Sequence, residues 1–268
     1  MLSSPRPQPR RARQQSLRQE YEEFILQRIE EYKDRLSRQD LMGIADEAVR
    51  ELEVGSEEQL VLTEVLVLEH VDRLIRRRLR LPSFRRWRDQ HLKLRQAQCE
   101  PGYWGLHRET VLTELALRLD ETDAALLVGG GATAPGLFLA AHGWPTLLMD
   151  SSLTTVEAAE RRAASEGLAA RFQALVVSLG SWFPDITPSL VVFDQSTVNA
   201  LEAPTRNQLI DTLKALTKSG GVHHVQLLHQ RHNATSLSDD ILRNHYGDWS
   251  LSRSGQNRRR REFMAVKP

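Results

Sequence analysis

A single cysteine, Cys99, stands in the chain. With no pair to bridge, a disulfide framework is excluded, and a reducing, cytoplasmic compartment is the expectation. Long apolar runs are also missing. None approaches the roughly 20 residues needed to span a bilayer, so no membrane segment is expected. Charge excess of either sign is lacking: 36 Lys and Arg against 35 Asp and Glu leave +1. Global charge therefore singles out no partner, and nothing in it calls for nucleic acid. Proline is absent between Leu17 and Pro82, where glycine is confined to Gly43 and Gly55. Long helices can run uninterrupted there.

What is present divides the chain in three. The start, MLSSPRPQPRRARQQ, has basic residues but no apolar h-region, so it is not read as a signal peptide. Pro, Arg and Gln cannot bury a core, and 1–16 is expected as a disordered basic tail. From 17 to 98 the apolar residues recur at helical spacing. Tyr21, Phe24, Ile25, Ile29 and Tyr32 mark one helix, and Leu41, Ile44, Ala48 and Leu52 a second. Val65, Leu68, Val71, Leu74 and Ile75 mark a third, and Phe84, Trp87, His91 and Leu94 a fourth. Ser37 with Asp40, and Ser56 with Gln59, give capping signals between them. A small helical bundle is expected, open to capping the active site, dimerising or binding a partner. The arginines of Arg73–Arg95 read either as an anion-binding patch or as a solvated helix face whose stems cover apolar surface.

The third part, 99–268, is organised around Ala124–Asp150. An apolar run, Ala124–Val128, meets Gly129, Gly130 and Gly131. A helical segment follows and ends at Gly143, and a second apolar run, Thr146–Met149, stops at Asp150. This is a βαβ unit of nucleotide-binding type. Glycine lets the backbone approach a ligand closely, the helix start offers free N–H groups, and an acid about 20 residues on can hold ribose hydroxyls. Read alone, the turn also fits a dinucleotide site, so an NAD(P)-binding oxidoreductase is one alternative. Further on, Leu153–Gly167 reads as a helix, Phe172–Val177 as a strand, and Leu190–Phe193 as a strand ending at Asp194. Ala203–Thr217 is a helix, and Val222–Leu228 a fifth strand. The alternation predicts an α/β, Rossmann-like, mostly parallel sheet with right-handed crossovers. Trp249–Arg253 and Glu262–Val266 predict a closing antiparallel hairpin at the sheet edge.

The segment from Ala124 to the C-terminus resembles the class I S-adenosylmethionine-dependent methyltransferases. Gly129, Gly131, Leu139, Ala140 and Gly143 fall at the spacing of that family's opening motif. Asp150–Ser151 matches the end of its second strand, VVFDQSTVNAL its fourth-strand motif, KSGG the turn before strand five, and REFMAVKP its last strand. The resemblance implies S-adenosylmethionine as cofactor, bound by Gly129, Gly130, Gly131, Asp150, Ser151 and Asp194, with Ser178 near the adenine. It implies methyl transfer to an unidentified small-molecule or protein acceptor. Asp194 is the catalytic candidate. Gln195 and Asn199 are candidates to bond the acceptor, and Tyr103 and Trp104 to lie over the mouth of the site. Leu127, Thr133, Ser178 and Leu190 stand where the family carries an acid, a glycine, an acid and an acid. A catalytically silent binding or scaffold protein is thus the second alternative. Asp194 can equally cap the Ser196–Leu201 turn. His223 and His224 point to opposite faces of a strand, and with His229 and His232 they are not read as a metal site. Arg258–Arg261 reads as a solvated hairpin turn.

Overall fold

The computed structural model describes residues 16–55, 64–108, 110–117, 123–228, 239–254 and 260–268. The expected tail up to residue 15, the Ser56 capping signal, His229, His232 and the Arg258–Arg259 end of the basic turn lie outside them. The chain forms two compact units, Met1–Leu94 and Arg95–Pro268.

The first unit holds α1 (Leu17–Lys33), α2 (Arg38–Gly55), α3 (Glu64–Arg78) and most of α4 (Phe84–Gln98). Ser16 starts α1 with a capping box: its side chain accepts from the Gln19 N–H, and the Gln19 side chain accepts from the Ser16 N–H. Tyr21, Ile25 and Ile29, four residues apart, pack with Ile44, Ala48, Leu74, Ile75 and Trp87. Val65 and Leu68 face away from this core, 64% and 54% exposed. Arg77 and Arg78 on α3 bond Glu51 and Glu47 of α2, and Arg76 bonds the Tyr21 hydroxyl. These arginines form a paired helix face. His91 stacks on Trp87 at 4.6 Å.

The second unit adds, in chain order, α5 (Val111–Ala116), β1 (Ala125–Val128), α6 (Thr133–Ala141), β2 (Thr146–Asp150), α7 (Leu153–Ser165) and β3 (Phe172–Val176). Then follow β4 (Leu190–Phe193), α8 (Gln195–Ala200), α9 (Ala203–Leu216), β5 (Val222–Leu228), α10 (Asp239–His245), β6 (Ser250–Ser254) and β7 (Arg260–Val266). Gln98 belongs here rather than with the bundle. Its buried amide donates to the Glu166 carbonyl at 2.8 Å and the Glu166 carboxylate at 2.9 Å. The two compact units divide between Leu94 and Arg95.

The sheet order is β3-β2-β1-β4-β5-β7-β6. The first five strands run parallel, and β7 is antiparallel to both β5 and β6. Residues alternate between the two faces. Leu127, Leu148, Leu190 and Val192 pack with Leu137, Phe138 and Val156 on one side. Leu126, Val191, Phe193 and Val225 pack with Leu209, Leu213, Tyr246 and Trp249 on the other. Strand order reverses between β1 and β4, which pair with Val128 opposite Phe193. In such sheets the crevice beyond the carboxyl ends of the switch-point strands is the natural ligand position. Gly129 and Asp194 are the next residues of those two strands. Among the described residues no helix is long and apolar enough to cross a membrane.

Candidate functional site

The glycine turn is shaped by what lies against it. Gly129 adopts φ +91°, and a Cβ there would stand 2.4 Å from the Thr197 hydroxyl oxygen. A Cβ on Gly131 would stand 2.6 Å from the Asp194 carboxyl carbon. Both positions need glycine. Asp194 fills that space by design of its own turn. It is the N-cap of α8 and accepts from the Ser196 N–H at 3.2 Å. It also accepts the Ser196 hydroxyl at 2.8 Å and the Thr197 hydroxyl at 2.7 Å. A fourth donor comes from across the site, the Gly131 N–H at 3.2 Å. Burial pulls the Asp194 pKa up, but the bonds from Thr197, Ser196 and Gly131 outweigh it and hold the carboxyl below its usual range.

Asp150 ends β2 and is buried. Its Oδ1 accepts from the Ser152 N–H at 2.7 Å, which ties the strand end to the start of α7. Its Oδ2 would lie 3.5 Å from a Cβ on Gly130. Asp150, Ser151, Gly130, Gly131, Thr155 and Asp194 line one cleft of about 490 Å³. A buried carboxylate beside a side-chain-free turn, with one oxygen uncommitted to Ser152, fits a nucleoside ligand with vicinal hydroxyls. The residues present therefore fit S-adenosylmethionine at Gly130, Gly131, Asp150 and Ser151, while Gly129 shapes the turn and lines neither space.

A second cavity of about 310 Å³ lies on the other side of Asp194. Gly131 and Asp194 line both spaces, which adjoin there. Leu106, Leu112, Pro135 and Phe193 give the second cavity apolar sides. Its polar lining is Gln195, Ser196, Thr110, His107, His224 and Glu262. His224 is 4% exposed, and neither ring nitrogen has a hydrogen-bond partner among the described residues. Its Nε2 stands 3.8 Å from Glu262 Oε2, an ion-pair distance too long for a hydrogen bond. Glu262 also accepts from the Val111 N–H at 3.3 Å. Burial raises the Glu262 pKa, but His224, the Val111 N–H and His107 together draw it below the usual range.

The other sequence candidates lie elsewhere. The Tyr103 hydroxyl donates to Glu166 at 2.8 Å. Trp104 is buried in the core, with its indole N–H on the Gln98 carbonyl at 2.7 Å and the Arg162 guanidinium 5.4 Å over its ring. Neither lines either cavity. Trp104 is spent on packing, whereas Tyr103 is 41% exposed and held by its bond to Glu166. Ser178 is exposed, with its hydroxyl 3.5 Å from that of Ser181. Ser178 and Asn199 also line neither space. His223 and His224 do take opposite faces: His223 bonds Thr217 at 2.7 Å and Tyr246 at 2.6 Å in the far core. Among the described residues no group of three or more His, Cys, Asp or Glu could hold a metal ion. Sequence reasoning missed His107, His224 and Glu262 as a set. The period-2 alternation had already turned His224 away from His223, but only the β5–β7 register brings Glu262 near it.

No protein-family model and no curated protein matches the chain. Solved structures do resemble it. The glycopeptide N-methyltransferase MtfA complexed with S-adenosyl-L-methionine overlaps at TM-score 0.48 and 13% identity, over 59% of this chain and 86% of that one. The N-methyltransferase NodS from Bradyrhizobium japonicum WM9 overlaps at TM-score 0.49 and 15% identity, over 60% and 94%. Magnesium protoporphyrin IX methyltransferase (ChlM) from Synechocystis PCC 6803, with bound SAM, overlaps at TM-score 0.44 and 16% identity, over 54% and 70%. At such scores the functional reading depends on the site's own geometry.

Proposed function

We propose that the chain binds S-adenosylmethionine in the cleft beside Asp150 and transfers its methyl group to an acceptor seated in the adjoining cavity. The acceptor is a small molecule or a protein side chain. One observation carries the reading: Gly131 and Asp194 line both spaces, so the two adjoin. When bound, S-adenosylmethionine supplies a methyl group on a positively charged sulfur. Asp150 and Ser151 hold the ribose hydroxyls, and Gly129–Gly131 lets the ligand lie against backbone. Asp194, kept ionised by its four donors, sets a fixed negative charge where the two spaces adjoin. Gln195 faces the acceptor. Displacement at a methyl carbon asks chiefly for alignment and exclusion of water, and two adjoining pre-formed cavities favour the alignment.

Calorimetry with S-adenosylmethionine and S-adenosylhomocysteine on the full chain tests this. Both ligands should bind, and Asp150→Ala should weaken them at least tenfold, because hydrogen bonds to a charged group are worth about 1.5–3 kcal/mol. Gly131→Arg should abolish binding by filling the turn. An absence of heat at millimolar ligand sinks the proposal. It would favour the scaffold reading, whose support is that Asp194 already takes the Gly131 N–H for itself.

A further inference from the structure

We propose that His224 and Glu262 are the proton-accepting pair of the second cavity. The acceptor is then a small hydroxyl or amine nucleophile that sheds a proton as it is methylated. This rests on the methyltransferase reading above. A buried imidazole with both nitrogens unpaired is costly, about 1–3 kcal/mol for each unmet group, and a fold rarely keeps one without use. Here the ring is 4% exposed, lines the cavity, and stands 3.8 Å from the Glu262 carboxylate. The register fixes it there: His224 pairs with Val192 on β4 and Met264 on β7, and Glu262 follows two residues before Met264 on the same strand.

Among the described residues, the charged and titratable groups lining the cavity with the ring are Glu262, the exposed His107 and Asp194. About 310 Å³ between apolar sides suits a single-ring molecule. The step balances as follows. The acceptor's heteroatom forms its new bond to the methyl carbon with its own electron pair. The pair from the broken carbon–sulfur bond stays on sulfur. The acceptor's proton passes to a free ring nitrogen of His224, and the imidazolium rests beside Glu262.

The test uses the full chain with tyramine, phenol and phenethylamine as probes, so the last two separate hydroxyl from amine acceptors. Without cofactor, tyramine should shift the ring C–H resonance of His224 in carbon-13-labelled protein, assigned by its loss in His224→Gln. With S-adenosylmethionine, His224→Ala should slow formation of S-adenosylhomocysteine about 100-fold or more, the usual worth of a general base. Cofactor affinity should stay within twofold, and added imidazole should restore part of the rate. Glu262→Gln should slow the reaction less. Failure of S-adenosylmethionine to bind wild-type protein overturns the function proposed above. Binding without transfer to any probe, an unmoved His224 resonance, or full activity in a folded His224→Gln overturns this inference alone.

Discussion

At the third position of the glycine turn the backbone is already helical. Thr133 has φ −60° and ψ −48°, which any residue adopts, and its hydroxyl donates to the Gly130 carbonyl at 2.7 Å. Glycine is not needed there. Leu127 and Leu190 are equally explained: both are strand residues under 2% exposed, packed into the same side of the core. An acid at either place would be buried away from the cleft, at a cost of several kcal/mol. The glycines, Asp150 and Asp194 were therefore legible in the sequence as a set, because turn and strand end lie within one unit or one repeat of it. His224 with Glu262 was not legible, since sequence separation hides a contact made only by antiparallel register. Asp194 offers the prediction at this scale. All four of its partners are donors, and an amide cannot accept them all. Asp194→Asn should lower the stability of the chain by about 1–3 kcal/mol, seen as a lower urea midpoint at unchanged slope. Stability equal to wild type would mean that the four bonds are not made in solution.

Elements were readable wherever their period was long. The five alternating strands and the closing antiparallel pair follow from apolar runs bounded by Gly, Pro and Asp. The short α8 showed only through its cap at Asp194, and α10 not at all, because six or seven mixed residues carry less than two turns of pattern. The exposed Val65 and Leu68 show the opposite failure, apolar residues whose helix turns them outward. How closely α6 rides on the sheet is invisible to pattern alone. A Cβ on Gly136 would meet Leu127 Cδ1 at 2.0 Å and Phe172 Cε2 at 3.0 Å. Leu127 is fully buried and has nowhere to swing. Helix propensity favours alanine over glycine by about 1 kcal/mol, but overpacking of a filled core costs about 1–3 kcal/mol. For Gly136→Val the clash should win clearly, and the melting temperature should fall by several degrees. A rise would show that α6 stands further from β1 than this geometry has it.

At the scale of the whole molecule, the far core sets how the chain responds to acid. His223 is fully buried between Thr217 and Tyr246. The Thr217 hydroxyl also donates to the Leu213 carbonyl at 2.7 Å. With its one proton so used, it accepts from His223 Nε2–H, and Nδ1 accepts from the Tyr246 hydroxyl. The neutral ring is thus satisfied at both nitrogens, and a second proton would break the Tyr246 bond. Burial, with Lys214 and Lys267 nearby, lowers its pKa to about 3 from 6.5. The unfolded chain then binds a proton that the folded chain refuses. Stability from this residue is whole above pH 6.5 and drains as pH falls from there towards 3, at up to about 1.4 kcal/mol per pH unit. The depressed carboxyls of Asp194 and Glu262 add their loss lower, as pH falls through the usual carboxylate range and below it. The difference between wild type and a His223 variant over pH 6 to 5 therefore reports this histidine. His223→Gln cannot take up that proton in either state. It should be less stable than wild type at pH 7, yet lose less stability between pH 6 and 5, by about one proton's worth of slope. The fluorescence of Trp249, whose ring lies 4.7 Å from that of His223, follows the unfolding locally. Parallel slopes for the two proteins would show that His223 takes up its proton in the folded core.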